Sequence, residues 1–193
     1  MLAAVILSGG ASRRMGSPKA LLPYQGRPFL EHLLDVAKHP SIGVLRVVLG
    51  PDADAISAQV ALKPEEIVIN QDWERGQLSS IQAAIRSFPP GTDGFLLCPV
   101  DHPLISESLV HELIDAFQKT HSAIVLPLYQ GHRGHPVIFA SRLYDELLNA
   151  PEEKGARAVV WAHPDEVSEI PTNEEGCILN LNDPEAFSKI SSG

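Results

Sequence analysis

Residues 3–19 read AAVILSGGASRRMGSPK. An apolar, β-branched run through Val5, Ile6 and Leu7 stops at Gly9-Gly10, and Arg13, Arg14 and Lys19 follow in the same stretch. A strand that ends at glycines and hands over to cations presents backbone N–H groups and positive charge to phosphate. Glycine also lets the backbone approach a ligand that any Cβ would hold off. A tight turn carrying solvated basic side chains is the competing reading. Glycines and cations sharing one loop directly after the first strand favour phosphate.

The chain outward from this loop alternates between two periodicities. Leu2–Ser8 is near-continuous in apolar residues, as buried parallel strands are. Pro28 opens a predicted helix to about Lys38, with Phe29, Leu30, Leu33, Leu34 and Ala37 on one face. VLRVVLG (44–50) is a second strand, and Asp52 caps a helix predicted to reach about Leu62. EIVIN (66–70) is a short third strand. Ser79 or Ser80 then caps IQAAIRSF (81–88), which Pro89-Pro90-Gly91 ends. GFLLCPV (94–100) runs into Asp101, and Ser106 caps a helix from Glu107 to Lys119. AIVLPL (123–128), the loop YQGHRGH (129–135) and PVIFA (136–140) follow. Ser141 caps a helix over Arg142–Asn149, and KGARAVVWA (154–162) is another. EVSEIP and CILNLN are weaker strand candidates, and DPEAFSKI (183–190) is a last helix.

Strands alternating with helices imply parallel βαβ units in a sheet covered on both faces. The expected fold is a single Rossmann-like three-layer α/β/α domain over residues 1–193 with a mostly parallel sheet. In such sheets ligands bind outside the carboxyl ends of the strands. Segments 8–19, 70–80 and 99–103 are therefore expected to face one crevice.

At 193 residues one domain is the natural expectation. The net charge of −9 argues against a general nucleic-acid binder, whose faces are basic. A small phosphorylated ligand remains compatible, because a local basic cluster acts within an acidic whole. Cys98 and Cys177 lack CxxC spacing, which suits a reducing compartment, with Cys98 buried in a strand. The first apolar run is short and the arginines follow it, the wrong order for a secretion signal. No stretch approaches the length of a membrane span. A cytoplasmic location is expected.

The first loop is neither a Walker A nor a GxGxxG motif. Gly16 is followed by Ser17-Pro18, so Lys19 falls two positions late for a Walker lysine. Asp101 stands where an apolar strand ends, and a carboxylate there can hold Mg²⁺ against a triphosphate. A turn-forming Asp-His-Pro is the competing reading. His132 and His135 form an HxxH pair, but without a further nearby ligand zinc is not expected. Most of the eight histidines are expected at the surface.

LSGGASRRMGSPKALLPYQGRPFLEHLL (7–34) resembles the signature of the molybdenum cofactor nucleotidylyltransferases, both cytidylyl- and guanylyltransferases. The similarity continues, in the family's order, at NQDWERGQLSSIQAAI, CPVDHPLIS, GHRGHPVIF and KGARAVV. The resemblance implies the nucleotide-diphospho-sugar transferase type of α/β fold. It assigns Gly9, Gly10 and Ser12 to the nucleotide phosphates, with Leu7 and Ser8 also among the nucleotide-binding residues. Arg14 and Lys19 would neutralise the transferring phosphate, with Arg13 at a variable position. Gly76, Ser79 and Ser80 would line the nucleobase and ribose, although Ser80 also reads simply as a helix cap. Asp101 would bind Mg²⁺. Asn180 stands where the family commonly has a second acidic metal ligand; its amide oxygen coordinates more weakly, and Asn182 is the alternative. His135 and Pro136 would face the acceptor. Arg157 is the candidate for an acceptor phosphate, with an ordinary helix surface as the competing reading.

The implied reaction joins an NTP to the terminal phosphate of a molybdopterin-type cofactor and releases pyrophosphate. The middle and end of the chain, with SPK (17–19), lean towards CTP, whereas the glycine pair in SGG (8–10) is similar to the guanylyl branch. The partners implied are these two small molecules and a transiently bound molybdoenzyme or its chaperone, with neither nucleic acid nor membrane. Two alternatives stand beside this reading. One is a nucleotidylyltransferase for a sugar phosphate or phosphoalcohol; the other is a binding protein that holds nucleotide or cofactor without catalysis.

Overall fold

The computed structural model describes residues 1–10 and 17–181. The candidates Ser12, Arg13, Arg14 and Asn182, and the helix expected over 183–190, lie outside the described residues. Strand β1 (Leu2–Ser8) is flanked on one side by β4 (Ile42–Leu49) and on the other by β6 (Gly94–Pro99), both parallel to it. Beyond β4 lies β5 (Ile67–Ile69), also parallel. Beyond β6 lie β9 (Val137–Ala140), β7 (Ile124–Tyr129) and β10 (Val167–Pro171), in that order. Strand β9 is antiparallel to both neighbours, and the two-residue β8 (His132–Arg133) folds back on β7. A small hairpin, β2 (Pro23–Tyr24) with β3 (Arg27–Pro28), stands apart from this sheet.

The sheet is sandwiched as the apolar runs require. Alternate residues of one strand face opposite sides. Leu2 and Ile6 join one core cluster with α1 (Phe29–Val36) and α4 (Glu107–Thr120). Ala3, Val5 and Leu7 join the other with α3 (Gln77–Arg86), α5 (Tyr144–Leu148) and α6 (Arg157–Ala162). Every residue of β1 is buried, which accounts for its lack of polar alternation. Ser106 caps α4 as expected, its Oγ accepting a hydrogen bond from the Leu109 N–H at 3.0 Å.

Five expectations need correction. Helix α2 (Ala53–Ser57) ends well before Leu62: Val60 turns into the core and Pro64 follows, while Asp52 makes no side-chain cap. Helix α3 begins at Gln77 with Gly76 at its cap, because the Ser79 hydroxyl is engaged elsewhere. Ser141 lies inside a 3₁₀ turn (Ser141–Leu143) that leads into α5, with Ala140 at the cap. PVIFA breaks the parallel order, since loop 130–136 is too short for a crossover and returns the chain as a hairpin-like strand. CILNLN forms no strand over its described residues. It follows a 3₁₀ turn (Glu175–Cys177) and spends its backbone on two loops: the Cys177 carbonyl accepts from the His135 N–H at 2.8 Å, and the Leu181 N–H donates to the Asp101 carbonyl at 2.8 Å.

The carboxyl ends of β1 and β4 meet closely. A Cβ built on Gly50 would lie 1.9 Å from the Gly9 carbonyl oxygen, a separation only glycine permits. Gly50→Ala should therefore lower the unfolding free energy by about 1–3 kcal/mol through overpacking, read as a shifted urea midpoint.

Candidate active site

At the ends of β1, β5 and β6 the chain leaves a cleft of about 210 Å³. One wall is Leu7, Ser8, Gly9 and Gly10, where β1 runs out. Another is Pro99, Val100 and Asp101, tied to the first by the Val100 N–H donating to the Leu7 carbonyl at 3.0 Å. The third is Trp73, Gly76, Gln77 and Ser80, from the turn before α3 and its first turn. Lys19, in a 3₁₀ turn (Lys19–Leu21), also lines it. In their described residues, the three segments expected to share a crevice do so.

Asn70, buried at the end of β5, organises the third wall. Its Nδ2 donates to Ser79 Oγ at 2.8 Å and to Ser80 Oγ at 3.0 Å, and its Oδ1 accepts from the Asp72 N–H at 3.0 Å. Ser79 Oγ also lies within bonding distance of the Asp72 and Gly76 carbonyls, at 2.9 and 2.8 Å. Ser79 therefore holds the turn together behind the cleft, whereas Ser80 reaches its surface. A Cβ built on Gly9 would lie 2.4 Å from Ser80 Oγ, so the two loops leave no room there for a methyl group.

The turn after β6 is compact: the His102 N–H donates to the Pro99 carbonyl at 3.1 Å. His102 is buried, and its Nε2 stands 3.9 Å from Asp101 Oδ1. Burial pushes the His102 pKa down; Asp101 pulls against that shift and Lys19 adds to it. Lys19, Asp101 and His102 therefore share one electrostatic neighbourhood. Burial likewise pushes the Cys98 thiol up to about 12, so it carries no thiolate at neutral pH.

The remaining candidates divide. His135 lines a neighbouring cleft with His102, but Pro136 does not. Asn180 is exposed, yet the hydrogen bond from Leu181 to the Asp101 carbonyl sets this stretch of chain beside the Asp101 turn. Arg157 is exposed at the start of α6 and lines neither cleft. Of the eight histidines, His102 and His135 depart from the expected surface placement. Sequence reasoning missed Asn70, Trp73 and Gln77. Asn70 closes the strand EIVIN and Trp73 stands just ahead of Gly76, so both signals were present as polar and aromatic residues at a strand-to-helix junction. Among the described residues no group of three or more His, Cys, Asp or Glu could hold a metal ion. A metal here would rest on Asp101 and on oxygens of a ligand, as Mg²⁺ does beside phosphates.

Residues 4–167 match the MobA-like NTP transferase domain. The chain is a member of that family. It is a nucleotidyltransferase of the MobA-like type, with a mostly parallel α/β sheet. It is 30% identical over 193 residues to the molybdenum cofactor guanylyltransferase of Rhizobium meliloti, covering 94% of this chain and 87% of that one. It is also 30% identical over 179 residues to the nicotine blue oxidoreductase of Paenarthrobacter nicotinovorans, covering 89% and 87%. Among solved structures it superposes on Rv0371c of Mycobacterium tuberculosis H37Rv with a TM-score of 0.87 at 28% identity, over 100% of this chain and 97% of that one. A further structure of Rv0371c is a complex with manganese, matching at 26% identity and a TM-score of 0.83 over 100% of this chain and 98% of that one. Among the described residues of this MobA-like chain no helix is long and apolar enough to cross a membrane.

The Asn70 network makes a stability prediction. Asn70→Ala should cost about 1–3 kcal/mol, because it removes three interior hydrogen bonds, those to the Ser79 and Ser80 hydroxyls and from the Asp72 N–H, measured by equilibrium denaturation.

Proposed function

We propose that this protein transfers a nucleotidyl group from an NTP to the terminal phosphate of a molybdopterin-type cofactor, releasing pyrophosphate. The observation that supports this reading is the convergence of Lys19, the Gly9-Gly10 backbone and Asp101 on one cleft. Nucleotidyl transfer needs little covalent help from the protein; positioning and charge stabilisation carry it. The acceptor phosphate is already ionised at neutral pH and needs no side-chain nucleophile. Its oxygen forms a new bond to the α-phosphorus as the bond to the β-phosphate oxygen breaks, and the electron pair leaves with pyrophosphate.

Gly9 and Gly10 present backbone to the phosphates, and Lys19 with Arg14 offsets the charge on the α- and leaving phosphates. Ser8 and Leu7 shape the floor beneath them, Ser12 adds a hydroxyl, and Gly76 with Ser80 meets ribose and base. Asp101 would hold Mg²⁺, with Asn180 or Asn182 as a weaker second oxygen donor. When bound, the metal supplies Lewis-acid stabilisation of the phosphate oxygens. The manganese complex of Rv0371c supports divalent-metal use in a related chain. His135 faces the acceptor side, with Pro136 buried behind it and Arg157 the more distant candidate for an acceptor phosphate. A cytoplasmic setting suits two soluble small-molecule substrates, and a recipient molybdoenzyme or its chaperone is the partner this product would need.

CTP is the favoured donor and GTP the alternative. Gly9 is the residue on which the choice turns, since a methyl group there would displace the Ser80 hydroxyl from its place beside the cleft.

The deciding experiment incubates the protein with Mg²⁺, molybdenum cofactor, and CTP or GTP in parallel, following pyrophosphate, with a hexose 1-phosphate as a competing acceptor. Release only with the hexose phosphate, or NTP binding without release, overturns the proposal. Asp101→Ala should reduce metal-dependent release about 100- to 1000-fold with the fold intact by circular dichroism. Gly9→Ala should change the ratio of CTP to GTP turnover by about tenfold, the effect of roughly 1.4 kcal/mol between two transition states. An unchanged ratio would remove Gly9 from base selection.

A further inference from the structure

On the far side of the Asp101 turn lies a second cleft, of about 340 Å³, between the end of β6 and the loop from β8 to β9. Its walls include His102, Arg133, His135, Cys177 and Ile178. The His102 and His135 rings are in contact, with centroids 4.7 Å apart and planes inclined at 53°. Each ring has a buried Nδ1 with no hydrogen-bond partner among the described residues. Buried polar atoms are satisfied in the great majority of cases, so two orphans on one wall call for an explanation.

The charge of this cleft is as informative as its shape. Arg133 Nε is already paired with Glu169 at 2.7 Å. Burial, reinforced by His102, pushes His135 down to about 3, so its ring is neutral near pH 7. The lining thus combines two imidazole rings, a buried thiol and Ile178, and the one guanidinium is already compensated. That suits a flat, uncharged nitrogen heterocycle, which stacks on aromatic faces and pairs with ring nitrogens. It does not suit a phosphate, which seeks unpaired cations, or a hexose, which needs many polar partners.

The two clefts are joined through consecutive residues: Asp101 lines the first and His102 the second. Gly134 and the 177–181 segment keep this junction tight. A Cβ on Gly134 would lie 2.6 Å from the Cys177 carbonyl oxygen, and Cys177 and Leu181 bond to His135 and Asp101 respectively.

We propose that His102 and His135 form the wall against which the acceptor's flat nitrogen heterocycle lies, its phosphate directed past Asp101 into the nucleotide cleft. This rests on the acceptor reading given above and names the part of that acceptor the protein recognises.

Neopterin, a fluorescent pterin without phosphate, provides the test when titrated into the intact protein without nucleotide or metal. Saturable binding is expected, weakened about tenfold or more by His135→Ala and by less than that by His135→Phe, which keeps an aromatic face but loses the ring nitrogen, since stacking on an aromatic face carries effects of that size. Ile178→Trp, which adds bulk to the cleft's lining, should weaken it similarly, and CTP binding by calorimetry should be unchanged in all three variants. Absent binding, affinity indifferent to both His135→Ala and Ile178→Trp, or displacement of neopterin by a hexose 1-phosphate would overturn the inference. Pyrophosphate release with molybdenum cofactor but no neopterin binding would sink this inference and leave nucleotidyl transfer standing. Neopterin binding with no release would do the reverse.

Discussion

The structure depends on one strand having no free face. β1 is paired on both edges and covered on both sides, so its carboxyl end can emerge only at the rim of the sheet, between the ends of β4 and β6. That burial delivers Gly9 and Gly10 to the one place where the neighbouring strands also release their loops. A cleft formed this way is rigid on its floor and adjustable in its loops, which suits chemistry carried by positioning. The contact of Gly50 with the Gly9 carbonyl is the consequence of strands ending so close together. Side chains at these positions would force the rim apart.

Much of this was legible in the chain because it followed from burial. Continuous apolar runs marked β1, β4, β6 and β7, and the amphipathic spacing of Phe29, Leu30 and Leu33 marked α1. The convergence of the Gly9, Gly76 and Asp101 segments followed from the rule for parallel sheets. What was not legible depended on long-range hydrogen bonds. Ser79 has the composition of a helix cap, yet Asn70 and the Asp72 and Gly76 carbonyls claim its hydroxyl, and the helix starts at Gln77 rather than at Ile81. CILNLN alternates like a strand, but its backbone partners belong to the Asp101 and His135 loops rather than to a neighbouring strand. The antiparallel course of β9 followed from loop length, which composition alone does not weigh.

The same contrast explains why the second wall of the site was harder to anticipate than the first. The glycines, Lys19 and Asp101 have chemistry that suggests phosphate wherever they occur together. His102 and Asn70 do not: a histidine after an aspartate and an asparagine after a strand acquire meaning only through burial. Asn70 is informative because its amide makes three hydrogen bonds in the interior, using both ends of the group. Losing it would remove three interior hydrogen bonds at once, a cost that buried polar networks place on every member.

The protein's acidity adds a last constraint. With a net charge of −9 the chain as a whole repels nucleotides, so affinity must come from a local field. Within the described lining of the candidate cleft the charged side chains are Lys19 and Asp101, of opposite sign. A triphosphate entering alone would meet one favourable and one unfavourable charge, and the balance would be close to neutral. A divalent cation would change that balance, because it would turn Asp101 from a repulsive neighbour into an attachment point for phosphate oxygens. The placement of a carboxylate where anionic phosphates must pass is costly for a metal-free nucleotide site and sensible for one that takes its nucleotide with a metal.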